Sequence, residues 1–231
     1  VQVPDERLEK LSRMSKSAKT IPAIVEFVDI AGLVKGAAEG EGLGNKFLSH
    51  IREVDAVAEV VRVFEDPDIT HVSEKLNPVS DMETIEYELI LKDLETVDKR
   101  LRSLGSEVKS GKKEAVEELS LLTELQKQLR AGQSAENQPK MFKNLGLLTA
   151  KPFIYILNIS EKQLQEKWQL DEKLKSKLGS NNYVLISAKI ESEIQSLEEK
   201  DREEFIKSIG LAETGLAQLI RLGYQTLGLI T

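Results

Sequence analysis

Three short motifs in this chain carry residue types that could do chemistry. "DIAG" runs from Asp29 to Gly32, "NISE" from Asn158 to Glu161, and "SAK" from Ser187 to Lys189. Each follows a short, largely β-branched apolar run of the kind expected for a parallel strand buried on both faces. In open α/β sheets, ligands bind beyond the carboxyl ends of the strands. An Asp there is able to hold Mg²⁺ through water, and Gly32 lets its N–H come close to a terminal phosphate. The glycine-rich "GAAEGEGLGN" that follows allows the loop to rearrange when that phosphate leaves. DxxG alone is a weak signal, because an Asp cap and a conformationally free Gly in a plain strand-to-helix turn give the same pattern. DxxG, NxxE and SAK in that order, each at a strand end, have the layout of a nucleotide-binding G domain.

The elements that must position these motifs are legible as a βα pattern interrupted once. Strands are expected over 24–28, 56–64, 152–158 and 183–187, with helices over 44–54 and 216–227. DxxG and NxxE lie more than twice as far apart as the roughly 60 residues that two βα units need. The section 78–148 supplies the excess. Its Ile90, Leu94, Val97, Leu101, Leu104 and Val108 step by four and three, a heptad seam. Ala115, Leu119, Leu122 and Leu129 form a second stripe after a turn near "KSGKK", so the pair is expected to be an antiparallel helical hairpin.

Composition bounds the function. The 231 residues, 40% hydrophobic and 31% charged, can bury a sizeable core. A net charge of −7 argues against a surface that is basic all over, so no DNA partner is expected, although a local basic patch remains compatible with RNA. The absence of Cys removes disulfides, thiolate catalysis and cysteine metal sites. No apolar run reaches the length of a membrane span and no signal-peptide pattern opens the chain, so a cytoplasmic protein with no membrane partner is expected. The chain starts with Val, and an N-terminal part is expected to be missing.

The segments "PDERLEKL", "VEFVDIAGLVKGAAEGEGLGNKFL", "IREVDAV", "VVRVFEDPDITHV", "LLTAKP", "NISE" and "GLAQLIRLGY" together resemble the YchF or Obg-like ATPases, a branch of the Obg-related translation-factor NTPases. The likeness runs along nearly the whole chain. It implies an α/β, parallel-sheet P-loop NTPase (G-domain) fold, N-terminally truncated, with an antiparallel helical coiled-coil insertion. The expected division is a first G-domain part over 1–77, the insertion over 78–148, and a second G-domain part over 149–231. Members of that family begin with a P-loop strand and end with a TGS domain, and the chain is expected to be a fragment lacking both. The nearest approach to GxxxxGK[ST] is "GSEVKSGKK" at 105–113, which has five residues between its glycines and Lys113 where Ser or Thr is needed. It is read as a decoy in a helix–helix turn. A switch I Thr is also missing, since Thr20 does not match it. Without the phosphate cradle, this chain alone is expected to be inactive.

The resemblance also assigns residues. Guanine-specific relatives carry NKxD, whose Asp accepts from the guanine edge; here Glu161 stands for Asp and Ile159 for Lys. A carboxylate would repel adenine at N1, where guanine has a donor. The resemblance implies ATP tolerance or preference, with Asn158 and the Ile159 backbone reading the base and Ser187, Ala188 and Lys189 completing the site. Asp29 and Gly32 would sense the γ-phosphate. Ras-like enzymes orient the attacking water with a Gln after DxxG, whereas this chain has Leu33, which cannot hydrogen-bond. The resemblance points to His71 as the helper, and a merely solvated loop histidine is the alternative. His50 is expected to be structural.

Between 92 and 113 there are seven basic residues (Lys92, Lys99, Arg100, Arg102, Lys109, Lys112, Lys113) against four acidic ones (Asp93, Glu95, Asp98, Glu107). Such a tip could meet ribosomal RNA phosphates, or it could be a solvated coiled-coil face. The acidic stretch 191–204 is expected to be an exposed connection. The expected function is that of a ribosome-associated, Mg²⁺-dependent ATPase/GTPase acting as a conformational switch. A non-catalytic interaction module with a remnant nucleotide site is the competing class.

Overall fold

The computed structural model describes residues 6–30, 48, 50–66, 76–109, 112–136 and 138–229. The chain divides into two compact units, one built from 1–29, 58–79 and 153–231, the other from 30–57 and 80–152.

The first unit is organised on a sheet of three strands, β1 (Val57–Arg62), β2 (Phe153–Asn158) and β3 (Asn182–Ile186), in the order β1-β2-β3. β2 and β3 are parallel, in a register that sets Asn158 opposite Ile186. Both chains therefore leave the sheet at the same level. β2 begins after Pro152, which has no N–H to give to a ladder. The helices of this unit include α1 (Glu6–Ser15), α4 (Glu161–Gln165), α5 (Glu172–Leu178), α6 (Ala188–Ser196), α7 (Glu199–Ser208) and α8 (Gly215–Thr226). Asp171 caps α5 by accepting from Leu174 N at 2.7 Å, and Thr214 caps α8 by accepting from Ala217 N at 3.1 Å. Leu219 of α8 packs with Ile154, Ile156, Val184 and Ile186 into a buried cluster, so α8 covers one face of β2 and β3.

The second unit is a helical hairpin. Its long arm, α2 (Pro78–Lys109), has 32 residues, opens with Pro at the first helical position, carries Asp81 in its first turn and Lys109 in its last, and so complements the helix dipole at both ends. The return arm is α3 (Lys113–Arg130). The heptad reading holds. Ile90, Val97 and Leu104 are buried with Ala115, Leu122, Leu125 and Leu129, while Leu94, Leu101, Val108 and Leu119 pack against them. Antiparallel pairing is fixed by polar contacts as well: Arg100 holds Glu118 through two bonds of 2.7 Å, and Gln126 donates to Asp98 at 2.6 Å. Gly105 lies inside α2, so residues 105–109 of "GSEVKSGKK" are helical where a phosphate loop would have to be open.

Three expectations need correction. Residues 24–28 do not form a strand: only an isolated bridge at Ile24 is present, and Asp29 is exposed beyond it. A strand needs a ladder that continues over several residues, and a single bridge does not make one. Val25 is buried with Ile220 and Tyr224 of α8, while Ile24 is 64% exposed. The acidic stretch 191–204 is not a connection, because α6 and α7 run through it. Asp93, counted above with the charges of the hairpin tip, is fully buried at 0% exposure. Its carboxylate accepts from Leu148 N at 2.7 Å, Thr149 N at 2.8 Å and the Thr149 hydroxyl at 2.7 Å, which pins α2 to the segment before β2. Of residues 44–54, those described over 50–53 are helical, and His50 among them is exposed. The helix expected over 216–227 is α8.

Candidate nucleotide site

Asn158 ends β2, and the chain there turns out of the sheet at a point set by two bonds. Ile159 N donates to Ile186 O at 2.8 Å, extending the β2–β3 ladder by one rung. Asn158 Oδ1 accepts from Ala188 N at 3.1 Å. The NxxE and SAK motifs, far apart in sequence, are thus joined side to side at the carboxyl ends of neighbouring parallel strands. This leaves the Asn158 amide nitrogen as the donor available to a ligand. The Ile159 N–H is already committed, so any reading of a base by the Ile159 backbone falls to its carbonyl. The Ile159 side chain is itself buried.

The turn after Asn158 is built by a capping box. Ser160 Oγ accepts from Gln163 N at 3.1 Å while Gln163 Oε1 accepts from Ser160 N at 2.8 Å. The same Gln163 donates from Nε2 to Val63 O at 3.0 Å, tying the end of β1 to the loop after β2. Glu161, the first residue of α4, ion-pairs through Oε2 with Lys189 Nζ at 3.0 Å. Hydrogen bonding to Glu161 holds the Lys189 ammonium above its ordinary pKa, with Glu193 and Asp66 adding smaller electrostatic pulls. Ser187 is buried at 3% exposure, and among the described residues its hydroxyl has no hydrogen-bond partner.

Several contributors were not foreseen. Gln163 is one, although Ser160 followed three residues later by Gln163 is a readable capping-box signature. Arg62 is another: it donates to the carbonyls of Phe64 at 2.8 Å and Asp66 at 3.2 Å, and its guanidinium stands 5.0 Å from the centre of the Phe64 ring. These contacts shape the loop after β1 at the same end of the sheet. Glu191 also matters, since its Oε1 accepts from Gly215 N at 2.6 Å and so fastens the first turns of α6 and α8 to each other. Gly215 is required there, because an added Cβ would lie 2.8 Å from Ile186 Cγ1. Gly32, Leu33 and His71 lie outside the described residues.

A family model described as 50S ribosome-binding GTPase matches residues 7–93. A ribosome-binding ATPase YchF of Bacillus subtilis is 46% identical over 241 residues, covering 100% of this chain and 66% of the relative. Its namesake in Escherichia coli O157:H7 is 41% identical over 239 residues with the same coverage. The solved YchF GTPase of Schizosaccharomyces pombe superposes with a TM-score of 0.81 at 33% identity, over 98% of this chain and 64% of that one. The chain belongs to the YchF family. Its fold is accordingly the α/β G-domain fold of P-loop NTPases with a parallel sheet, carrying the helical hairpin as an insertion. The chain spans about two thirds (66%) of the length of the curated YchF relatives it matches.

Proposed function

We propose that this YchF-family chain is the nucleotide-binding part of a ribosome-associated switch that hydrolyses a nucleoside triphosphate, ATP in preference to GTP, to diphosphate and phosphate. The observation that supports it most is the Asn158–Ala188 hydrogen bond, which brings together the two motifs expected to hold a purine. The names of the relatives, ribosome-binding ATPases, agree with nucleotide and ribosome as partners.

The motifs, together with the geometry at the ends of β2 and β3, support the following division of labour. Asn158, oriented by Ala188, offers its amide N–H to the acceptor edge that both purines share. Ser187, Ala188 and Lys189 wall the base from the β3 side. Asp29 and Gly32 take the phosphate end. Mg²⁺ suits Asp29, whose exposed carboxylate is a hard oxygen donor able to hold the ion through water, as Mg²⁺ keeps most of its water shell. When bound, that ion would neutralise charge on the phosphate oxygens. Leu33 gives no hydrogen bond to an attacking water, so His71 is assigned to orient it. The exposed lysines at the hairpin tip, Lys109, Lys112 and Lys113, are assigned to ribosomal RNA. A cytoplasmic location accords with this reading; among the described residues no helix is long and apolar enough to cross a membrane.

The alternative, a silent interaction module, draws on one observation: the 231 residues contain no GxxxxGK[ST]. A form with a strand and P-loop joined ahead of Val1 separates the two. The proposal expects Mg²⁺-dependent ATP hydrolysis, lost in Asp29→Ala and in Asn158→Ala, with ATP bound at least as tightly as GTP. A strong preference for GTP in competition binding, or no hydrolysis at all, overturns it. His71→Ala in the same form should slow single-turnover hydrolysis and leave affinity almost unchanged, as expected for a group that acts only in the transition state.

A further inference from the structure

We propose that Lys189 is a specificity-determining residue that acts through Glu161: by pairing with that carboxylate it makes the base site accept adenine. The inference rests on the nucleotide-site reading above and adds to it a reason why an acidic side chain at this position does not select guanine.

The argument begins with what the other residues are unable to do. Asn158 meets an acceptor that adenine and guanine have in common, so it does not choose between them. The Ile159 N–H is spent on Ile186 O. That leaves the Ile159 carbonyl and Glu161 to discriminate, and of the two Glu161 is the group whose charge a neighbouring side chain alters. A bare carboxylate presents only acceptors, which suit the N–H groups of the guanine edge and face the N1 lone pair of adenine unfavourably. In this structure the carboxylate is not bare. Lys189 Nζ stands 3.0 Å from Glu161 Oε2, occupying one acceptor oxygen and cancelling the charge. The partners come from two different elements, the first turn of α4 and the first turn of α6, and both of those turns are anchored. The Ser160–Gln163 box fixes the start of α4, and the Glu191 contact with Gly215 fixes the start of α6. The geometry of the pair is thus held by its surroundings, even though the Lys189 side chain is 69% and that of Glu161 35% exposed. The Glu161 side chain, one methylene longer than the Asp of NKxD, has the reach to be drawn toward Lys189.

Base choice is testable without a phosphate cradle. AMP and GMP are titrated into the 231-residue chain by NMR at millimolar concentration, and the ratio of their dissociation constants is read for the parent, Lys189→Met, Lys189→Arg, Glu161→Gln and the Glu161→Gln/Lys189→Met double variant. Lys189→Met is expected to move the ratio about fivefold toward GMP, the size set by a partly exposed charge pair. Lys189→Arg should keep the parent ratio, and in the Glu161→Gln background the loss of Lys189 should have no further effect. A ratio unchanged in Lys189→Met, or one shifted equally with and without the Glu161 carboxylate, overturns the inference while leaving the nucleotide site standing. If the parent binds neither nucleotide, the nucleotide-site reading fails and the inference fails with it.

Discussion

At the scale of single residues, two carboxylates show how burial and partners act in opposite directions. Burial pushes the Asp93 carboxyl above its ordinary pKa, against the pull of Leu148 N, Thr149 N, the Thr149 hydroxyl and the charge of Arg52. A group whose native pKa is raised contributes stability that is fully present below its unfolded value and is lost as pH rises through the native one. Stability should therefore fall as pH rises from the ordinary carboxylate value through the raised native one, and urea unfolding of the parent and Asp93→Asn as a function of pH should show this slope only in the parent. Asn has one acceptor oxygen where Asp has two, so the variant should also leave a buried N–H unpaired, at a cost of about 1–3 kcal/mol. Glu118 is the reverse case. The Arg100 guanidinium lowers its pKa, mainly by hydrogen bonding, so its contribution is present above the unfolded value and lost as pH falls through the lower native one. Glu118→Gln should flatten that acid-side loss and lower stability at neutral pH by about 1 kcal/mol, a small figure because the pair is partly exposed.

At the scale of elements, the hairpin separates into a buried seam and a tip, and the two should respond differently to substitution. Leu104 is fully buried where the arms meet, so Leu104→Ala should cost about 2–5 kcal/mol in unfolding experiments. The tip carries the proposed contact with RNA. Arg100 is engaged by Glu118 and Glu107, and Lys92 by Glu95, so the charges left for a partner lie nearer the turn. Replacing Lys109, Lys112 and Lys113 together by Ala should weaken co-sedimentation with ribosomes and flatten its salt dependence without lowering the unfolding midpoint, since phosphate contacts govern that slope. Unchanged ribosome binding would assign these lysines to a solvated face. The hairpin was readable because a heptad pattern is local: each apolar residue announces its neighbour three or four positions on. Asp93 was not readable, because its partners are Leu148 and Thr149, far along the chain, and nothing near it in sequence distinguishes it from the surface charges around it.

At the scale of the whole molecule, the same division between local and distant information explains which parts of the site were legible. The ends of β2 and β3 carried their motifs in plain view, since an apolar run closing on Asn158 or Ser187 is a local pattern. The contacts that make a site of them, Asn158 to Ala188 and Glu161 to Lys189, depend on strand register, which no short stretch encodes. Residues 24–28 mark the opposite failure. Their apolar, β-branched composition is that of a strand, but composition does not report a continuous ladder, and the segment shows an isolated bridge at Ile24 with Val25 packed against α8. The proposed purine site, lacking a phosphate cradle, carries a direct energetic expectation. Most of the affinity of a P-loop protein for a triphosphate comes from backbone N–H groups and a lysine closing on the phosphates, and the 231 residues hold no such sequence. The base contacts proposed above are a few hydrogen bonds, each worth about 0.5–1.5 kcal/mol net. Calorimetry of this chain with Mg-ATP should accordingly give a dissociation constant in the millimolar range, near that of AMP, because the added phosphates find little to hold them. Micromolar binding, or an ATP affinity far above that of AMP, would mean that phosphate-binding groups exist in this chain outside the P-loop pattern.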